Sequence, residues 1–307
     1  MNKIYFILLQ LVFFMAAAPL LSGLITKIKN SLRLRKGQSI WQPYYNLSKL
    51  FLKEEVVSDT ASWIFQAAPF VVLGSTLCAA LLIPVFIFYT PLNYLGDLLA
   101  LIFILALGRF FLALAALDTG SSFGGLGSSR EMFISSLVEP ALCLVVFSIS
   151  LRSGSTSLAA FGAVSGVQAS SIIAGAALFL IALAETARIP VDNQETHLEL
   201  TMVHEAMVLE YSGRPLALIE MAAYVKQTIF FLLIAQIVFP VGLPVSGSLA
   251  EIVFWSSWYL GRLVIVAAIV AVVEVSVAKM RLFRVADFLG FAFVLGIIAS
   301  ICAILGV

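Results

Sequence analysis

Eight stretches of this chain, residues 4–25, 64–88, 95–117, 132–151, 171–187, 216–239, 252–278 and 288–305, stay mainly apolar for close to the ~20 residues that a helix needs to cross a bilayer. A backbone inside lipid has no water to satisfy its amides, so each stretch is predicted to be a helix that closes its own hydrogen bonds. With 62% hydrophobic and 11% charged residues, against roughly 25% charged in a soluble domain, there are too few polar side chains to cover a core in water. We therefore expect an all-α, polytopic integral membrane protein forming one membrane domain over residues 1–307. The first stretch has the outline of a signal peptide, with Lys3 before it and Ala16, Ala17 and Ala18 within it. Its length and the basic residues after it favour an uncleaved span.

A net charge of +1 excludes the clustered basic excess that nucleic acid requires. Cys78, Cys143 and Cys302 lie inside apolar runs without CxxC spacing, so no metal or iron–sulfur cluster is expected on this chain. Charge placement is more telling. The loops after spans one, three, five and seven contain Lys27, Lys29, Arg33, Arg35, Lys36, Lys49, Lys53, Arg130, Arg188, Arg214, Lys279, Arg281 and Arg284, whereas the opposite side has Lys3 and Arg152. By the positive-inside rule the richer side is cytoplasmic and both termini lie outside.

Three segments on that inner side are too polar to span. Thr26 to Asp59 begins basic and continues past Pro43 with Leu47, Leu50 and Phe51 on one face and Trp41, Tyr44 and Tyr45 beside them. This pattern predicts an amphipathic helix lying along the interface. Asp118 to Glu131 is rich in Gly and Ser but has Ser128 where a phosphate loop needs Lys, so a tight loop is expected. In Arg188 to Pro215 a helical run is expected to Glu210; at 100° per residue it would gather Asp192, Glu195, Glu199 and Glu210 within a sector of roughly 60°. His204-Glu205 lacks the second His of a zinc motif, Val208 standing in its place.

Arg109, Glu139, Glu220, Lys226, Arg262 and Glu274 fall inside predicted spans. A charge there costs about 3 kcal/mol on insertion scales, so these groups need mutual pairing or a wet cavity. Glu185 ends span five, and a row of carboxylates leading inward from the surface toward basic residues is the arrangement that a proton path requires. Static ion pairs that orient helices are the competing reading.

The run Ala184-Glu185-Thr186-Ala187-Arg188-Ile189-Pro190-Val191-Asp192, continuing to Glu195, Glu199-Leu200 and Glu210-Tyr211-Ser212-Gly213, resembles the signature of NADH dehydrogenase subunit 1, the complex I membrane subunit that meets the peripheral arm. Gly127, Arg130 and Glu139 match the start of that family's fourth core helix, and Arg35, Gly37, Gln42-Pro43 and Lys49-Leu50 its first inner loop. Glu195 to Glu205 and Leu117 to Ser121 resemble the version in membrane-bound hydrogenases, as do Lys226 and Glu274 to Arg281. Departures fall at Asn46, where relatives usually carry Asp, at His197, which replaces a Glu, and at Ala223, where the quinone-reducing branch has a carboxylate and this chain has Glu220 one turn earlier.

The resemblance implies a membrane subunit of an energy-converting [NiFe] hydrogenase-type complex in the cytoplasmic membrane. It would dock hydrogenase large and small subunits and an iron–sulfur subunit through Arg35, Gln42, Lys49, Arg130, Arg188, Glu210 and Tyr211. Its coupling residues would be Glu139, Glu185, Glu220, Glu195, Glu199, Asp192, Arg109, Lys226, Arg262 and Glu274, linked to antiporter-like membrane subunits. No cofactor is expected on the chain itself, [NiFe] and [4Fe-4S] centres belonging to partners. The alternatives are the quinone-site subunit of a complex I-type dehydrogenase and an independent ion transporter, the latter disfavoured by the lack of an internal repeat.

The orientation is testable by labelling introduced cysteines with an impermeant reagent. Positions Asn93, Ser153 and Ser246 should react from outside, and Ser39, Ser122 and Asn193 only from inside. The reverse pattern would overturn it.

Overall fold

A computed structural model describes residues 3–58, 60–85, 96–163, 166, 168–192, 202–240 and 249–306. The described residues form helices α1 (Lys3–Leu32), α2 (Gln42–Leu52), α3 (Trp63–Leu82), α4 (Leu98–Asp118), α5 (Ser122–Ser153), α6 (Leu158–Ala163), α7 (Ala169–Glu185), α8 (His204–Val208), α9 (Gly213–Val238), α10 (Leu249–Ser276) and α11 (Leu282–Leu305). Among them there is no strand, and one isolated bridge pairs Asp97 with Ser157. Seven helices are long and apolar enough to cross a membrane, and the expected eighth, α7, is an apolar helix of 17 residues. At 1.5 Å per residue α7 is about 25 Å long, at the short limit for a span.

The spans start where the sequence supplies caps. Ser62, Asp97 and Ser121 accept from the amides of Ile64, Leu99 and Gly124 at the starts of α3, α4 and α5, and Gly154 and Gly306 close α5 and α11 with φ of 69° and 75°. The loops rich in Lys and Arg gather at one end of the bundle, which we call the basic end. There Ser62 N donates to Asp118, Met280 N to Pro190 O and Val56 N to Ser212 Oγ. At the far end Leu98 N donates to Thr156 O and Leu158 N to Gly96 O.

Helix α9 is the axis: 78% of its most apolar window is buried, against 28% for α11, which lies at the outside of the bundle. Helices α1, α2, α3, α7 and α10 all pack on α9. The short α2 is the expected amphipathic helix. Its Leu47 is buried against Ala217 and Met221 of α9, the Tyr44 hydroxyl donates to the Ala16 carbonyl of α1, and Trp41 and Tyr45 stay exposed.

Two inner segments differ from expectation. The Gly/Ser-rich stretch is not a loop beyond Ser121: α5 begins at Ser122, and Gly124, Gly127 and Ser128 are buried. Tertiary packing outweighs the poor helix propensity of glycine here, because a Cβ on Gly127 would sit 3.0 Å from Ala206 Cβ, Met207 Cγ and Val203 O. The missing side chain of Gly127 lets α5 approach α8 closely. In the acidic segment, residues 189–191 form a turn, α8 is the described helix, and Glu195 and Glu199 lie outside the described residues. Asp192 and Glu210 do not share a solvated face. Asp192 is 2% exposed because it accepts from the amides of Val203 and His204 at 3.1 and 3.2 Å, whereas Glu210 is exposed in a turn.

Replacing Gly127 by Leu should push α8 off α5 and destabilise the solubilised protein by about 1–3 kcal/mol, read as a lowered thermal midpoint. An unchanged midpoint would mean that this contact is slack.

Candidate coupling site

Helices α4, α5, α7 and α9 bring four charged side chains together inside the bundle. The Arg109 guanidinium of α4 forks between two carboxylates, donating through Nη2 to Glu139 of α5 at 2.8 Å and through Nη1 to Glu185 of α7. The other oxygen of Glu185 takes Lys226 Nζ of α9 at 2.6 Å, and Ser135 Oγ donates to Glu139 at 3.1 Å. Charges thus alternate along a file from Glu139 to Lys226. Arg109 and Glu185 are 8% and 4% exposed in their side chains, while Glu139 is 47% exposed.

Glu185 is the last residue of α7, and the chain turns sharply after it. Ala187 adopts φ +48°, its amide bonds back to Ala184 O, and the Arg188 amide bonds to Leu183 O at 2.9 Å. This is a Schellman closure with alanine at the position that glycine usually takes. The turn sends the Arg188 side chain back under the bundle. There Arg188 donates to Glu274 of α10 at 3.1 Å and to Gln227 Oε1 of α9 at 2.8 Å, and Lys29 Nζ of α1 reaches the other Glu274 oxygen at 2.9 Å. Lys226 and Gln227 are neighbours on α9, so the two clusters meet through consecutive residues of the axial helix. Nearer the surface, Lys279 pairs with Asp192 at 2.7 Å.

Of the expected coupling residues, Arg109, Glu139, Glu185 and Lys226 are one cluster, and Glu274 and Asp192 hold adjoining ones. Two stand apart. Arg262 is 3% exposed, donates to Gln236 Oε1 at 3.2 Å and Phe239 O at 2.8 Å, and lies 4.3 Å over the Tyr259 ring, so its partners among the described residues are neutral. Glu220 is half-buried on α9 and makes no ion pair among the described residues.

The expected docking residues divide by exposure. Arg35, Lys49 and Glu210 are exposed at the basic end, Gln42 donates to Asn46 at 3.0 Å, and Arg130 donates to the Met202 carbonyl at 2.8 Å. Arg188 and Tyr211 face inward. Tyr211 stacks on Phe65 with centroids 4.0 Å apart and donates to the Phe65 carbonyl at 2.9 Å, and burial pushes its phenol above the ordinary range. Lys29 was assigned to a solvated basic loop, yet α1 keeps one buried stripe through Ala18, Leu21, Ser22 and Ile25 to Lys29. Its spacing of three and four residues was the signal for an inward lysine.

Taking one partner from a buried ion pair leaves the other charge desolvated. Arg188→Ala is therefore expected to destabilise the solubilised chain itself by about 3–5 kcal/mol. A thermal midpoint equal to wild type would mean that Lys29 alone satisfies Glu274.

Residues 4–305 match the protein family described as NADH dehydrogenase. Hydrogenase-4 component C of Escherichia coli (strain K12) is 33% identical over 282 residues, which are 91% of this chain and 89% of that protein. Formate hydrogenlyase subunit 4 of the same organism is 30% identical over 287 residues, 92% of each chain. NADH-ubiquinone oxidoreductase chain 1 of Carassius auratus is 31% identical over 223 residues, 68% of this chain and 66% of that one. In the structure of the membrane-bound sulfane sulfur reductase, an archaeal respiratory membrane complex, a chain superposes with a TM-score of 0.83 over 99% of this chain and 100% of its own length, at 19% identity that shows a shared fold. A match over nearly the whole length, with relatives at 30% identity or more across nine-tenths of both chains, places this chain in the NADH dehydrogenase subunit 1 family.

Proposed function

We propose that this chain is the membrane-anchoring and energy-coupling subunit of an energy-converting [NiFe] hydrogenase-type complex. The observation that carries the reading is the alternating file Glu139–Arg109–Glu185–Lys226, joined through α9 to Arg188–Glu274–Lys29. The near full-length similarity to hydrogenase-4 component C and formate hydrogenlyase subunit 4 supports the hydrogenase branch. The quinone-site alternative, a complex I-type subunit, is supported by the shorter match to NADH-ubiquinone oxidoreductase chain 1. Nickel in the purified assembly would favour the first, and flavin with quinone reduction the second.

In this reading the basic end seats the hydrogenase large and small subunits and the iron–sulfur subunit, which hold the [NiFe] and [4Fe-4S] centres. Arg35, Lys49 and Glu210 are exposed there to meet them. Electron arrival in the seated module changes charge beside Asp192 and Lys279, and the adjoining clusters re-pair in response. Two unit charges about 4 Å apart attract by about 4 kcal/mol at an effective dielectric constant of 20, so protonating one carboxylate frees its cation for the next. Glu139 completes the file at the surface of the chain. A carboxylate 47% exposed within a span is costly against lipid, which favours a polar neighbour such as an antiporter-like membrane subunit. Glu195, Glu199 and Glu220 are further proton-carrying carboxylates in the same reading.

Glu185→Gln keeps shape and some hydrogen bonding but cannot exchange a proton. Assembly should survive, while ion translocation per turnover in sealed vesicles should fall several-fold. Coupling equal to wild type would make Glu185 a static pairing charge.

A further inference from the structure

A group of voids among the described residues forms a series along the bundle. At the basic end a cavity of about 220 Å³ is walled by Lys29, Asn46, Arg188, Asp192, Tyr224 and Glu274. Ala187, Arg188 and Tyr224 are also walls of a second cavity, of about 80 Å³. The second shares Leu105, Arg109 and Glu185 with a third, of about 30 Å³, whose other walls are apolar. The third shares Ile149, Phe161 and Ile237 with a fourth, of about 20 Å³ at the far end, where Ser148, Arg152, Ser170 and Gln236 make the lining polar again. Phe161 also walls a neighbouring void of about 20 Å³, so one ring borders three cavities.

A buried water needs roughly 10–15 Å³ and two or more polar partners. The first two cavities meet both conditions and the fourth has room for a water. In the fourth, Ser170 Oγ is buried with no partner among the described residues, which is what a water there would satisfy. The third has room but offers polar groups only at its Arg109 and Glu185 end, so beyond them it is dry.

We infer that this chain carries its own proton exit: a wet path from the basic end to Glu185, a dry stretch closed by Ile149, Phe161 and Ile237, and a wet outlet at the far end. Phe161 is the plug. It projects from α6, a six-residue helix that hangs at the far end by the Leu158 amide on the Gly96 carbonyl at 2.8 Å and by the Thr156 hydroxyl on Asp97. When α6 shifts, water enters the third cavity. A proton then leaves the Glu185 carboxyl for that water, and the carboxylate re-forms its pairs with Arg109 and Lys226. The fourth cavity suits a proton passed between waters and opposes a resident metal cation, because Arg152 lines it and no carboxylate does among the described residues.

The inference rests on the proposed proton activity of Glu185, and the test separates the two. In vesicles containing the whole complex, Phe161→Ala and Ile237→Ser should wet the dry stretch and speed the decay of an imposed pH gradient several-fold without turnover, leaving the redox activity of the peripheral module unchanged. In a background with the three native cysteines replaced by Ala, Ser170→Cys should react with an impermeant thiol reagent from the far side. Leu233→Cys, in the wall of the dry stretch, should react only when combined with Ile237→Ser. Leak and Leu233→Cys labelling both unchanged in the Ile237→Ser protein, or Ser170→Cys unreactive with the plug intact, would overturn the exit. The Ser170→Cys arm needs no plug variant to fold. Lost coupling in Glu185→Gln with no added leak in Ile237→Ser would keep the coupling reading and reject the exit; Glu185→Gln fully coupled would reject the coupling reading and, whatever the leak, overturn the exit as a route for the Glu185 proton.

Discussion

A cation partway along a membrane helix needs a counterion or a set of neutral acceptors to replace its water, and Arg109 is where this chain meets that constraint with charge. Its guanidinium cannot be discharged by losing a proton, so the bundle is arranged to bring it Glu185 and Glu139 from two other helices. Bringing Glu185 there in turn requires α7 to end at that depth, which is why the shortest of the eight expected spans has 17 residues and closes with a left-handed Ala187. Lys226 then balances Glu185, and its place on α9 makes the axial helix polar on one side at mid-depth. The fold's most buried helix thus carries a lysine and two glutamines, Gln227 and Gln236, inside a lining of Ile, Leu and Phe.

What was legible in the sequence follows from which forces act locally. Span positions depend on runs of apolar residues, which are local. The amphipathic α2 was readable for the same reason, since Leu47 and Leu50 declare a face whatever they touch. The start of α5 was not readable, because Gly124, Gly127 and Ser128 are poor helix formers packed into place by other elements, Gly124 against Ala116 and Ser128 on the Ala113 carbonyl of α4, and Gly127 against α8, far away in sequence. Asp192 was misplaced for a related reason. A carboxylate in an acidic stretch looks solvated until the amides of Val203 and His204 and the ammonium of Lys279 converge on it.

The charged residues inside spans were identifiable one by one, and the need for pairing followed from bilayer energetics. The pairing itself was not. Nothing in a linear pattern says that Glu274 binds Lys29 and Arg188 or that Arg262 settles on Gln236, Phe239 and Tyr259. These choices depend on helix rotation and depth, set by packing along whole helices. Lys29 shows the intermediate case, since its stripe was visible but its charge suggested solvent.

Pairing two cations with Glu185 and two with Glu274 has a consequence beyond stability. An isolated buried pair is rigid, because separating it exposes two desolvated charges at once. Glu274 between Lys29 and Arg188, and Glu185 between Arg109 and Lys226, hold two cations each, so one can withdraw while the other still covers the carboxylate. The cost of an intermediate arrangement is then one contact. Clusters built this way can shift in sequence along the bundle without any step that strips a charge bare, and the adjacency of Lys226 and Gln227 on α9 lets one cluster's shift be felt in the next.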